Sequence, residues 1–346
     1  MKKIIFIFIL LLSLFIIKTI NDAGEFKKLS PHYNGNCVAV FGLDGPEDIT
    51  ILKDGLAFIS SDHRWQTLAN NPVQGHIFSY NLNVVTPELI NITSNLEIEF
   101  HPHGISVFED SLNNVHLFVI NHVDENHSIE VFKYENNQLI HNKTIRDPML
   151  ISPNDLVVIS NNQFYFTNDH GTASNFNKTV QDYLQLSNSN VIFYDGQQCK
   201  VVIDDVKYAN GINISPNKEL IYVAETIGKQ LSIYSRNSTS NELDFIESIY
   251  MNSGVDNIEI DNDGNLWIGS HPKMLSFTRH AKDKINLSPS QVLRVSLDSS
   301  YQYFYDEIYL NEGEELSGSS VGAIYKNNLL IGAVLTDHFL HCKLKL

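Results

Sequence analysis

Positive charge is scarce in this chain. Its 24 Lys and Arg face 40 Asp and Glu, a formal net charge of −16 over 346 residues. A nucleic-acid partner needs cations that neutralise phosphates, so no nucleic-acid role is expected. Cysteine is scarcer still: Cys37, Cys199 and Cys342 are the full set, which leaves one thiol over if two pair. Residues 37 to 346 carry no Pro/Gly/Ser-rich linker, charge block or low-complexity tract. Nothing therefore marks an internal domain boundary, although the length would allow two domains. Long apolar runs are missing too, with one exception. Lys2-Lys3 followed by Ile4 to Ile17 is basic and then apolar over a stretch too short for an ordinary membrane span, the composition of a signal peptide. Only a weak small-residue cleavage site follows, between Lys18 and Ala23. Residues 1–24 read as a signal peptide or a retained signal anchor, and 25–346 as one domain.

What is present is a repeat. Tyr208 to Glu225, YANGINISPNKELIYVAE, reads as strand, turn, strand, with Ser215-Pro216-Asn217-Lys218 as the punctuation and Asn210 just ahead of the first strand. His103 stands likewise ahead of Gly104 to Phe108, Asn154-Asp155 ahead of Leu156 to Ile159, and Asp256-Asn257 ahead of Ile258 to Ile260. Looser copies begin at Glu47-Asp48 and at Ser320. Five steps cover the 273 residues from 47 to 320, a period of about 55, near the length of a propeller blade. The expected fold class is all-β, a six-bladed β-propeller. The first strand of each blade lines the central channel of such a fold. Glu47, Asp48, His103, Asn154, Asp155, Asn210, Asp256 and Asn257 would then converge on one axis. Carboxylates and amide carbonyls without thiolates suit a hard cation, and a flexible set of this size suits Ca2+ better than Mg2+. Cys37, before the first blade, and Cys342, near the C-terminus, are placed to clasp the two ends of the ring.

In order, GPEDITILKDGLAFISS, HPHGISVF, FVINHVDEN, FKYENNQLIHNKTIR, PNDLVVI, TNDH, YANGINISPNKELIYVAE, VDNIEIDNDGNLWIGSHP and LLIGAV resemble the serum paraoxonase/arylesterase family, from Cys37 to Cys342. The resemblance implies a calcium-dependent hydrolase of lactones and aryl esters with two axial calcium ions, phosphotriesters being a further substrate class to test. By it, Glu47, Asn154, Asn210, Asp256 and Asn257 hold the catalytic ion. Asp48, Asp155 and the main-chain carbonyl of Ile105 hold a structural ion deeper in the channel. His103 matches the histidine placed above the catalytic calcium, and His122 the second member of a dyad. An imidazole with an ordinary pKa of about 6.5 can deprotonate an attacking water. Asp169, His170, Tyr208, His271 and Ser320 fall at pocket positions. Tyr208 stands where an unhydroxylated aromatic is usual and Ser320 where threonine is usual, which bears on substrate range.

The same resemblance maps the family's closing disulfide onto Cys37 and Cys342. The family's free cysteine beside an active-site histidine is replaced by Ser270, and Cys199 reads as a bland, partly buried thiol. His101, His127 and His141 have no active counterpart and read as surface residues. A retained N-terminal segment would associate the protein with a membrane or lipid particle. Asn91, Asn126, Asn142, Asn177, Asn237 and Asn286 open glycan acceptor sequences, as expected of a secreted or lumen-facing chain; Asn213 fits the pattern but lies in an expected inner strand. Two other functions compete. One is a non-catalytic family member serving as a chaperone or assembly factor for membrane proteins; the other is a different six-bladed enzyme such as a gluconolactonase. The intact ligand set and both histidines favour an enzyme, and the order of GPED, PHGIS and VDN favours the first family.

Overall fold

Each repeated segment becomes the inner half of an antiparallel sheet, because strands this apolar can bury both faces only between neighbouring sheets. The structure is a computed structural model that describes residues 1–123, 126–297 and 302–345. Six sheets, built from residues 46–91, 102–145, 153–206, 209–250, 254–311 and 319–344, are blades 1 to 6 of a β-propeller. The innermost strands are Pro46–Ile51, Pro102–Glu109, Pro153–Ser160, Ala209–Ile214, Gly254–Ile260 and Ser319–Tyr325. Each contacts the next and the last contacts the first. Blade 6 takes its outermost strand, Gly35–Phe41, from the chain ahead of blade 1. Cys37 lies opposite Cys342 in that pairing and is bonded to it, with S–S 2.03 Å. The expected clasp is therefore present.

The core is a set of six seams between blades, not one central mass. Phe118 of blade 2 shares a cluster with Phe166 of blade 3, Phe58 of blade 1 with Phe132 of blade 2, and Trp267 of blade 5 with Leu340 of blade 6. Full burial of such side chains stabilises by roughly 1.5–3 kcal/mol each.

Every inner strand carries one extra residue near its start. Pro46 pairs with Ser61 but Ile49 with Ile59, and the same slip separates Pro102 from Ile105, Pro153 from Leu156, Ala209 from Ile212, Val255 from Ile258 and Ser319 from Val321. A bulge bends the strand and re-aims its side chains. The polar marks of the sequence thus lie within the inner strands, inside the bulges, not ahead of the strands. Glycine is needed in two of them because the next blade comes so close: a Cβ on Gly104 would lie 2.5 Å from the Asn154 carbonyl oxygen, and one on Gly211 would meet that of Asp256.

Helices, which the sequence reading did not anticipate in the propeller, cap one end. Helix α1 is Lys2–Asp22, exposed from Lys2 to Lys18 and half-buried at Thr19, Ile20 and Asp22. Helices α2 (Arg64–Leu68), α3 (Asn175–Leu184) and α4 (Met274–His280) are inserted between the second and third strands of blades 1, 3 and 5. Those connections lie at the end where the inner strands begin. The chain after α1 is tied to α4: the Ala23 carbonyl accepts from Met274 N at 2.9 Å, and the Glu25 carboxylate accepts from Ser276 N at 2.9 Å and pairs with Arg279 at 3.1 Å.

Candidate active site and metal centre

At the upper end of the channel a cavity of about 380 Å3 is lined by Glu47, His103, Asn154, Tyr208, Asn210, Asp256 and His271. Thr19 and Ala23, with Asp182 and Tyr183 of α3 and Leu275 and Phe277 of α4, also border it. Four buried oxygens at this end have no hydrogen-bond partner: Glu47 Oε2, Asn154 Oδ1, Asn210 Oδ1 and Asn257 Oδ1. The amide nitrogens explain the orientation. Asn210 Nδ2 donates to Thr226 Oγ1 at 3.0 Å, Asn257 Nδ2 to Glu47 Oε1 at 2.9 Å, and Asn154 Nδ2 reaches Asp169 Oδ2 at 3.4 Å. Each amide spends its nitrogen on the wall and leaves its oxygen over. An unsatisfied buried polar group costs about 1–3 kcal/mol, so four together call for an occupant. Among the described residues no three His, Cys, Asp or Glu side chains gather as one metal-binding group. The donors here are mostly amide oxygens, the ligands of a hard cation.

Asp256 Oδ2 accepts from His271 Nε2 at 2.8 Å, and the His271 ring stacks on Phe277. Burial raises the Asp256 pKa, with His271 opposing. Burial also works against ionisation of Glu47, but His103 and Arg64 outweigh it and hold that carboxyl below its ordinary value. Ser320 Oγ donates to the Glu47 carbonyl at 2.5 Å. Three histidines run outward from Glu47. His103 Nε2 stands 3.4 Å from Glu47 Oε1, His103 Nδ1 is 3.0 Å from His122 Nε2, and His122 Nδ1 is 2.9 Å from His127 Nδ1.

Lower in the channel each carboxylate oxygen of Asp48 and Asp155 accepts one main-chain N–H. Asp48 accepts from Ile49 N at 2.9 Å and Ile105 N at 2.7 Å; Asp155 accepts from Leu156 N at 2.7 Å and Ile212 N at 2.8 Å. Each therefore ties its own strand to the next blade. Both border, with Ile105, a second cavity of about 530 Å3 that opens at the other end. Burial pushes both acids well above the carboxylate range, and the nearby charges of Glu47 and of Asp48 push further. Each carboxylate oxygen still has a lone pair for a cation.

Not every expected residue is where the sequence suggested. Asp169, His170 and Ser320 do not line the cavity themselves but touch residues that do, Asp169 meeting Asn154, His170 meeting Asp182 and Tyr208, and Ser320 meeting Glu47. His170 is clamped between Asp169 at 2.7 Å and Asp182 at 2.8 Å, edge-on to Tyr208. The surface assignment fails for His101, which is buried against Asp62 at 2.9 Å; His141 and His127 are half-buried, the first on the buried Glu130 at 2.8 Å and the second on His122 at 2.9 Å. His127 could have been found by folding NHVDENHS into a hairpin, which sets it opposite His122. Cys199 is half-buried as expected, and burial pushes its thiol up. Asn126, Asn142, Asn177, Asn237 and Asn286 are exposed, whereas Asn91 is half-buried and its Oδ1 accepts from Thr93 N at 3.0 Å. Asn213 is half-buried and donates to the Ile258 carbonyl at 2.6 Å.

The family model of the arylesterases matches residues 29–344. The chain belongs to the arylesterase family. This arylesterase is 35% identical over 328 residues to serum paraoxonase/arylesterase 1 of Homo sapiens, covering 92% of this chain and 91% of that one. It is 36% identical over 318 residues to serum paraoxonase/arylesterase 2 of Bos taurus, covering 89% of each. Among solved structures it is similar to a luciferin-regenerating enzyme, with TM-score 0.55 at 8% identity over 88% of this chain and 92% of that one. It is also similar to the aldose sugar dehydrogenase of Streptomyces coelicolor, with TM-score 0.56 at 12% identity over 91% and 99%. Those structural likenesses speak for the propeller fold; family membership makes the chain an ester hydrolase.

Proposed function

We propose that this arylesterase hydrolyses lactones and aryl esters, with two calcium ions on its axis and His103 as general base. The observation that carries the reading is the set of four partnerless buried oxygens beside an imidazole that borders the same cavity. Glu47, Asn154, Asn210, Asp256 and Asn257 are the donors for the upper ion; Asp48, Asp155 and the Ile105 carbonyl are those for the lower. The upper set would hold an ion that supplies Lewis acidity to an ester carbonyl and would offset the charge that grows on its oxygen.

The chain's own groups supply the rest. His122 Nε2 accepts the Nδ1–H of His103, which leaves His103 Nε2 bare to take a proton from the attacking water. Leu275, Phe277 and Ile227 give the cavity an apolar side that suits an acyl chain. Burial and the carboxylates of Asp169 and Asp182 keep the Tyr208 phenol protonated, so it serves as a donor to polar substrates. Residues 25–346 form the catalytic domain of a secreted or lumen-facing enzyme, a setting the disulfide fits. The sequence marks an apolar run of Ile4 to Ile17, too short to span, but helix α1 extends it to 21 residues, which by length and composition is enough to cross a membrane; it serves as signal or as anchor to a membrane or lipid particle. Contacts of Thr19 and Ala23 with the cavity favour retention.

The test is an assay of purified protein against short- and long-chain lactones, phenyl acetate and a phosphotriester, with calcium and with chelator. Chelator-sensitive turnover of the first two classes is expected. A folded, calcium-loaded protein that turns over neither would point instead to a non-catalytic chaperone for membrane proteins.

A further inference from the structure

Both ring nitrogens of His122 are committed, Nε2 to His103 Nδ1 at 3.0 Å and Nδ1 to His127 Nδ1 at 2.9 Å. It therefore has no nitrogen left for water. His127 faces it across the hairpin, rings 4.7 Å apart and at 88°. His127 is half-buried, and its Nδ1 is the nitrogen that meets His122, which leaves Nε2 on the far side of the ring. We propose that His127 is a relay residue, the outer end of an imidazole chain that exchanges protons between His103 and solvent during hydrolysis. This rests on the reading of His103 as general base.

The chain works in one direction and then the other. At the start His103 Nδ1–H donates to His122 Nε2, His122 Nδ1–H donates to His127 Nδ1, and His127 Nε2–H faces outward. As water oxygen bonds to the carbonyl carbon, its O–H breaks and an N–H forms at His103 Nε2. The His103 Nδ1 proton passes to His122 Nε2, the His122 Nδ1 proton passes to His127 Nδ1, and His127 Nε2 gives its proton to a base in solution. When the C–O bond to the leaving alkoxide breaks, that oxygen takes the proton from His103 Nε2. Each proton then shifts back one place and His127 Nε2 takes one from solution, which restores the starting tautomers. The acid product loses its own proton in water. One proton leaves and one returns, and no imidazole keeps a charge. Burial, with His103 and His127 as neighbours, disfavours a charged His122, and burial with Lys178 nearby does the same for His127. A proton is thus not stored within the chain.

The experiment is lactone turnover by His127→Ala at fixed pH and ionic strength over a range of imidazole concentrations. The substitution keeps the Asn126-x-Ser128 acceptor sequence. In dilute buffer kcat should fall by up to about a hundredfold with KM unchanged, the bottom of the range for a direct general acid–base group, since His127 acts through two others. It should climb back as imidazole is added, while the wild type ignores imidazole. His127→Gln, which keeps a polar side chain but cannot relay, should behave the same way. A wild-type rate in His127→Ala overturns the proposal. So does a loss that imidazole does not repair in either variant, since that is the mark of lost support. His103→Gln separates the two readings: if it is inactive while His127→Ala is normal, only the relay fails, and if it is fully active the base itself is misassigned.

Discussion

Glu47 and Asp48 are neighbours in one bulge, yet their oxygens meet opposite circumstances. Glu47 turns up, with one oxygen on Asn257 Nδ2 and the other without a partner. Asp48 turns down, with both oxygens on main-chain N–H groups of two blades. Asn154 and Asp155 repeat the division in blade 3. Extended chain sends adjacent side chains to opposite sides, so one short motif delivers a strut below and an under-bonded oxygen above. The comparison separates stability from chemistry within two residues: the lower acids hold blade to blade, and the upper oxygens are left over for something the chain does not itself provide.

Removing calcium should have the largest effect, because the proposed function puts an ion at each end. Chelation should abolish turnover and lower the melting temperature; a ligand at a thousand times its Kd contributes about 4 kcal/mol of stability. Calorimetry with and without chelator checks this, and an unchanged melting curve would break the two-ion reading. Next in size is a crossed pair of substitutions. Glu47→Gln should cut kcat by about 10²–10³, the scale of one lost electrostatic contact to a transition state, with a small change in melting. Asp155→Asn leaves only one oxygen for Leu156 N and Ile212 N, and should cost about 1–3 kcal/mol with kcat less affected. Kinetics and melts on both variants decide it. If the two phenotypes were exchanged, the upper and lower roles would have to be exchanged as well.

The period of polar marks was enough to count the blades and to name the residues at the axis, because each blade repeats one strand, turn and strand. The ring closure was legible from the positions of Cys37 and Cys342. The bulges were not, since an extra residue in a strand has no composition of its own; only Gly104 and Gly211 hint at the close approach they permit. Helices α3 and α4 escaped notice because they are short insertions between strands and no residue of α3 is buried. The settings of His101 and His141 were missed for a simpler reason. Their carboxylate partners, Asp62 and Glu130, are distant in sequence or on another strand, and nothing in the surrounding residues announces the pairing.

The smallest effect expected concerns only the upper end. His170 joins Asp169 to Asp182 on α3. Burial works against its charge, but the two carboxylates prevail and raise its pKa to about 9. Unfolded, the same imidazole titrates near its ordinary value of about 6.5. A raised folded-state value means that the protonated form is the one the fold favours. Its contribution is therefore complete below about pH 6.5 and is lost as the pH climbs through about 9. Because α3 is an insertion at the rim, the loss should appear as local opening, not as a drop in overall melting temperature. Amide exchange, corrected for the intrinsic pH dependence and measured in calcium, should show α3 losing protection between pH 7 and 9 while Asp48 and Asp155 keep the lower strands protected. Asp182→Asn should remove most of that pH dependence, since it takes away one of the two carboxylates that hold the proton on His170. Protection of α3 that stays flat across this range would mean that the clamp is not what holds the helix over the cavity.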